Sequence, residues 1–302
     1  MELRHLRYFV AVAQELHFSR AAEKLGISPP TLTVQIQEIE RHIGAQLFSR
    51  TKRQVALTAA GIAFLDEARR TIGQFEQALH VGRRAGRGEL GRIELGYVGS
   101  AVFSGVLQHH MRLFRQSYPG VSLDARELPM EHLPELVENG QVDVAVLRLP
   151  VDLPVSLRTQ VLLRDCYCLA VPSEHALASL PMDIKPQLLA GEIFIIPEQD
   201  LGTREVARRG GFMPRVGAAP GSLLAVLTQV SLGAGVAVVP TALNGVVALP
   251  NVAFKTLAGT PIASEVAAVF RHTESAPAVL HLIEQLKQPG PPQTFHCVLS
   301  GG

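Results

Sequence analysis

The chain has 302 residues, 47% of them apolar, and carries 28 Lys and Arg against 27 Asp and Glu. That length accommodates two or three domains, and no uninterrupted apolar run is long enough for a transmembrane helix. A start rich in charged residues, without a signal-peptide core, predicts a cytoplasmic protein, and three cysteines, two of them in "CYC", make no disulfide framework.

The net charge of +1 conceals an asymmetry. Residues 1–92 hold 14 Lys and Arg against 9 Asp and Glu, an excess of +5, and the remainder holds 14 against 18, or −4. A basic front on an acidic body suits a nucleic-acid module carried by something else. The excess is small, so dimerisation, which doubles the contacts, is expected.

"AAEKLGISPPTLTVQIQEIERHIG" (Ala21 to Gly44) holds a helix, a stop at Gly26, and a second helix. Ser28 is placed to cap that second helix, with Pro29 and Pro30 in its first turn, where a missing N–H costs nothing. Two helices joined by a short turn containing Gly form a helix-turn-helix. At about 100° per residue, Leu32, Ile36, Ile39 and Ile43 fall on one stripe that must face a core. Pro30, Val34, Gln37 and Arg41 fall opposite, flanked by Thr31 and Thr33. Such a mix of hydroxyls, an amide and a small apolar group suits a helix in the DNA major groove. It equally suits a plain amphipathic helix with a solvated face.

"LFSRTKRQVALT" (Leu47 to Thr58) places Arg50, Lys52 and Arg53 at a turn between two short apolar runs. It predicts a β-hairpin wing whose basic tip neutralises phosphates and positions the neighbouring helix. A long helix is predicted from Thr58 to about Ala85. Its Leu65, Ala68, Ile72, Phe75 and Leu79 recur at three- and four-residue intervals, a seam for pairing with a second copy or for lying on its own domain. The basic, Gly-rich "GRRAGRGELG" (Gly82 to Gly91) reads as a hinge.

From Arg92 onward strands and helices alternate. "RIELGYVG", "VSLDARE", "VDVAVLR", "CYCLAVP", "EIFIIP", "RVGAA", "VAVVP", "VAFKTL" and "SEVAAVFRH" read as strands. Helices are predicted over 103–118, 131–139, 201–209, 222–232 and 276–286. This rhythm implies a mainly parallel sheet covered on both faces, and its repetition implies two α/β subdomains. The chain is expected to cross between them near Leu162 and to return near Val266. Such pairs bind small ligands in the cleft between them. Ser100 and Ser222 each stand where a strand ends and a helix begins, offering a hydroxyl beside free N–H groups. Arg148 follows a strand end and is suited to a carboxylate. The blander uses of these residues are simple N-capping by the serines and a surface ion pair for the arginine. The tail, "QPGPPQTFHCVLSGG", reads as poorly ordered.

Residues 1 to about 61 resemble the N-terminal domain of LysR-type transcriptional regulators. "LRYFVAVA", "FSRAAEKLGIS", "IQEIERHIGAQLFSR" and "LTAAG" carry the likeness. The resemblance implies DNA contacts at Pro29, Pro30, Thr31, Thr33, Val34 and Gln37, with Arg50 and Arg53 at the wing. Ser28, Arg41 and Lys52 complete the expected DNA-binding set. Pro29 and Val34 depart from the family's usual Gln and Arg, which bears on the operator sequence. The resemblance also implies that the long helix dimerises.

Over most of residues 90 to 290 the chain is similar to the effector domain of the subgroup that regulates aromatic catabolism, including muconate- and benzoate-responsive members. "GRIELGYVGSAVFSGVLQHHMRLFRQSYPGVSL", "ENGQVDVAVLRLPV" and "LGAGVAVVP" carry it. Carried over by position, effector contacts fall on Ser100, Met130, Arg148 and Pro197, with Ser222 on a helix facing the same cleft. Met130 stands where those relatives have a Thr that helps hold a carboxylate, and a thioether cannot donate a hydrogen bond. A dicarboxylate such as muconate is therefore a poor fit, and a more apolar or singly charged effector a better one.

An enzyme is the main rival class. "GAGVAVV" follows a helix rather than a strand and lacks the third Gly of a dinucleotide fingerprint, and there is no P-loop, nucleophile elbow or HExxH. Cys166 and Cys168 without convergent His make a poor zinc site. Two further rivals are a thiol redox-sensing regulator and a free-standing solute-binding α/β protein.

The expectation is an α/β protein with an all-α winged helix-turn-helix N-terminal domain (residues 1–58), a linker dimerisation helix and hinge (59–88) and an effector-binding domain (89–302). The last comprises two periplasmic-binding-protein-like α/β subdomains, 89–161 with 267–290 and 162–266. The function expected is transcriptional regulation, with activation, in response to a small aromatic or organic-acid effector. The expected partners are a double-stranded DNA operator, RNA polymerase and further copies of the chain as homodimer and homotetramer, with no membrane, catalytic residue, cofactor or metal.

Overall fold

The computed structural model describes residues 1–50 and 55–290 and divides into two compact units, Met1–Arg84 and Ala85–Gly302. Lys52 and Arg53 of the expected wing tip, and residues 291–302 of the tail, lie outside the described residues.

The first unit comprises α1 (Leu3–Glu15), α2 (Phe18–Leu25), α3 (Pro29–Ile43), β1 (Phe48–Arg50), β2 (Val55–Leu57) and α4 (Ala59–Gly86). Gly26, at φ 68°, ends α2 in the left-handed region that glycine enters without a Cβ penalty. Ser28 then caps α3, accepting from the N–H of Thr31, with Pro29 and Pro30 in the first turn. Leu32, Ile36 and Ile39 are buried against Leu6, Phe9 and Val12 of α1. Ile43, expected on the same stripe, is 37% exposed at the end of the helix. The ring of Phe9 lies 5.2 Å from that of Phe48 and 4.9 Å from that of Phe64, binding the hairpin and the start of α4 into one core.

That contact decides what the stripe on α4 does. Its first half serves its own unit: Ala68 is buried, and Leu65 and Ile72 pack half-buried on the core. Its second half does not, since Phe75 and Leu79 are 42% and 43% exposed. The helix continues through Gly82 and ends at Gly86.

The second unit comprises β3 (Gly91–Tyr97), α5 (Gly99–Val102), α6 (Val106–Ser117), β4 (Val121–Glu127), α7 (Leu133–Glu138), β5 (Val144–Leu149), β6 (Leu157–Pro172), β7 (Ile193–Pro197), α8 (Leu201–Gly210), β8 (Arg215–Gly221), α9 (Leu223–Ser231), β9 (Ala237–Pro240), β10 (Val252–Lys255), β11 (Ala263–Arg271) and α10 (Pro277–Leu286). The helix expected over 103–118 is α6, which starts only at Val106, after Gly105 takes φ 74°, and the short α5 stands before it as a separate turn.

Strand order in the seven-stranded sheet is β10-β6-β11-β5-β3-β4, with β9 also on β6. β3 runs parallel to β4 and β5, whereas β6 and β11 run antiparallel to each other. One core gathers around Val144, Val146 and Leu147 of β5. Beyond it, successive residues of β6 face opposite ways, as a strand requires. Tyr167, Leu169 and Val171 enter one core and Cys168 and Ala170 another, on the two faces of the second lobe. Where the lobes meet, Val266 pairs with Leu163 but Ala267 pairs with Val161, so Leu162 is an extra residue in a β-bulge.

Candidate functional site

Two surfaces collect the chemistry expected from the sequence, one in each unit. The first is the outer face of α3. Ser28 Oγ lies 3.2 Å from the Thr31 N–H and 2.7 Å from its hydroxyl, which fixes the start of the helix. Thr33 turns its hydroxyl back to donate to the Pro29 carbonyl at 2.9 Å. Pro29, Pro30, Thr31, Val34, Gln37 and Arg41 are exposed. Val34, at 50%, presents an apolar patch among polar neighbours.

Arg50 is placed differently from a free phosphate-seeking cation. Its guanidinium donates to Glu40 Oε2 at 3.1 Å and lies 4.7 Å above the Phe18 ring. The other oxygen of Glu40 accepts the backbone N–H groups of Leu47 and Phe48, at 2.9 and 3.1 Å. Glu40 therefore ties the end of α3 to the start of the hairpin, a role with no signature in sequence spacing.

The second surface is a cleft between the two lobes of the second unit. It brings together Ser100, Arg148, Pro197 and Ser222. Met130 is not in its lining: the side chain is buried in the core of the first lobe, and its backbone N–H donates to Glu198 at 2.5 Å. Ser222 caps α9, accepting from the Ala225 N–H at 3.3 Å, so its hydroxyl proton is left for another acceptor.

Arg148 is 1% exposed and is held on three sides. It donates to Ser264 Oγ at 2.7 Å and to the Ser100 carbonyl at 3.0 Å, and it stands 3.5 Å from Asp165 Oδ2. Burial pushes the Asp165 carboxyl above its ordinary range, against the pull of the Arg148 charge. A guanidinium so enclosed positions the start of α5 and neutralises a buried carboxylate.

Sequence reasoning missed Glu127, Tyr167, Glu198 and Gln199, which also line the cleft. Gln199 donates to the Arg148 carbonyl at 3.0 Å, so the lobes are joined here by two hydrogen bonds, this one and that of Glu198. Pairs so distant in the chain leave no local motif. Of Cys166 and Cys168, weighed together as redox thiols, Cys166 is disulfide-bonded, whereas Cys168 is free and buried, and burial raises its pKa to about 12, which leaves negligible thiolate. Among the described residues no group of three or more His, Cys, Asp or Glu is placed to hold a metal ion, and no helix is long and apolar enough to cross a membrane.

Residues 3–62 match the family described as bacterial regulatory helix-turn-helix protein, lysR family, and residues 86–290 match the LysR substrate binding domain. The chain is 36% identical over 299 residues to the uncharacterized HTH-type transcriptional regulator YnfL of Escherichia coli (strain K12), covering 95% of this chain and 99% of that one. It is 31% identical over 288 residues to the HTH-type transcriptional regulator AlsR of Bacillus subtilis (strain 168), covering 94% of each. Its structure resembles that of full-length CbnR complexed with its target DNA, with a TM-score of 0.81 at 26% identity, covering 95% of this chain and 99% of that one. With an N-terminal reading head of this form and an α/β effector-binding body, the chain belongs to the LysR family of DNA-binding transcriptional regulators that respond to small-molecule effectors.

Proposed function

We propose that α3 enters the major groove of a duplex operator, with Ser28, Pro29, Pro30, Thr31, Thr33, Val34, Gln37 and Arg41 toward the DNA and the wing of Arg50, Lys52 and Arg53 along the backbone. The observation that carries this reading is the division of α3 itself. Leu32, Ile36 and Ile39 are buried, while Pro30, Val34, Gln37 and Arg41 opposite them are exposed. Val34 suits a thymine methyl, and Gln37 suits an adenine edge. Pro29 brings no polar side chain, so specificity rests on fewer readers.

Copies of the chain pair through the exposed second half of the α4 stripe, giving the homodimer and homotetramer that operator half-sites require. A small organic molecule in the cleft, contacting Ser100, Pro197 and Ser222, with Met130 and Arg148 behind them, favours one lobe arrangement and so changes the spacing of the DNA-binding units. The regulator then acts in the cytoplasm, on a promoter, through RNA polymerase.

The test is a footprint of the full chain on the DNA upstream of its own gene at two salt concentrations, with the Thr33→Ala/Gln37→Ala variant beside it. Salt-sensitive protection that the double variant loses is the expected result. Equal affinity and selectivity in the double variant would sink the α3 assignment.

A further inference from the structure

The cleft is short of positive charge. Two carboxylates, Glu127 and Glu198, line it. Among the described residues its one cation is Arg148, already engaged by Asp165, Ser264 and the Ser100 carbonyl. The unpartnered polar atoms are of both kinds: Gln199 Oε1, an acceptor, and Arg148 Nε, a donor, belong to lining residues and have no hydrogen-bond partner among the described residues. Pro197 and Pro240, at the ends of two strands that reach the cleft, contribute no N–H. A bound acid would face two carboxylates, and its one charged counterpart among the described residues already faces Asp165. A bound ammonium meets acceptors on both sides.

We infer that the effector carries a protonated amine, seated between Glu127 of the first lobe and Glu198 of the second. This rests on the reading of the cleft as the effector site. The amine draws on carboxylates from both lobes, so it binds best when the lobes are close together. Glu198 already reaches the Met130 N–H across the gap, which places its carboxylate at the seam. The hydroxyl of Ser222 remains for a neutral or anionic group at the other end of the same molecule, so a simple amine and an amino acid share the recognised chemistry.

The test titrates the full chain with matched ring compounds that differ in one group, namely benzylamine, benzyl alcohol, benzoate and phenylalanine, by ligand-detected NMR. Benzylamine or phenylalanine is expected to bind at least about tenfold tighter than benzoate, a difference of roughly 1.4 kcal/mol. The variants Glu198→Gln and Glu127→Gln keep the shape of the cleft, and the first keeps an oxygen for Met130, yet each should weaken the amine about tenfold. Ser222→Asp keeps a good N-cap and adds a negative charge, so it should tighten the amine. Tighter binding by benzoate, improved by the Gln variants, overturns the amine while leaving the cleft as the site. Amine binding indifferent to all three substitutions overturns the cleft itself. No binding by either amine overturns the proposal. Phenylalanine binding without benzylamine identifies the amino-acid form.

Discussion

Arg148 and Asp165 face each other 3.5 Å apart with both side chains 1% exposed, joining β5 to β6 beneath the cleft. Removing one member of such a pair strands the other charge in a low-dielectric site. Asp165→Ala is expected to cost about 3 kcal/mol, read from the urea midpoint of the second unit. The loss should be larger than for Ser264→Ala, which deletes one neutral acceptor. A cost below that of Ser264→Ala would mean that the guanidinium is held by its other partners alone.

Glu40 carries three contacts at once, to Arg50 and to the N–H groups of Leu47 and Phe48. Glu40→Ala leaves two backbone donors at the base of the hairpin without their acceptor, and such a group costs about 1–3 kcal/mol. Arg50→Ala removes only an ion pair and a ring contact. Thermal unfolding should therefore rank Glu40→Ala well below Arg50→Ala, and DNA affinity should fall in both.

Phe75 and Leu79 contribute little to their own unit. Phe75→Glu with Leu79→Glu is expected to leave the circular dichroism spectrum unchanged and to shift sedimentation toward the monomer. Unaltered sedimentation would move the pairing surface off the second half of α4.

The Cys168 thiol, raised to about 12 from an ordinary 9.0, should resist iodoacetamide at pH 8 in the folded chain and react once it is unfolded. A folded pKa above the unfolded one means that the native state binds the extra proton. Stability contributed by this thiol is therefore full below pH 9 and declines as pH rises toward 12. Peptide mapping of rapidly alkylated native protein would settle the first point, and labelling of Cys168 would show its thiol to be accessible.

Local signals gave away the reading head almost entirely. Gly26, Ser28 and the two prolines announce their conformations by residue type, and the stripe of Leu32, Ile36 and Ile39 fixes the buried face. Ile43 falls out of that stripe because α3 ends at Gly44, where little of the domain remains to cover it. The long β6 was only half legible. Its "CYCLAVP" end is apolar and reads as a strand, whereas Arg158, Thr159 and Gln160 are polar and pair with β11 on a surface that periodicity cannot assign. The cleft was legible at Ser100 and Ser222, which sit at helix starts, but not at Glu127, Glu198 or Gln199, whose meeting depends on how the two lobes fold toward each other. Met130 shows the limit of carrying a position over by resemblance, since its backbone reaches the seam while its side chain fills a core.

The bulge at Leu162 sets how the cleft opens. β6 and β11 belong to both lobes and are paired on either side of that extra residue. The lobes thus have no flexible tether to swing on, and any closure must be taken up as torsion in a pair of hydrogen-bonded strands. An occupant of the cleft would then be felt at its far ends as a rotation of one half against the other, a motion that a rigid assembly of several copies can sum.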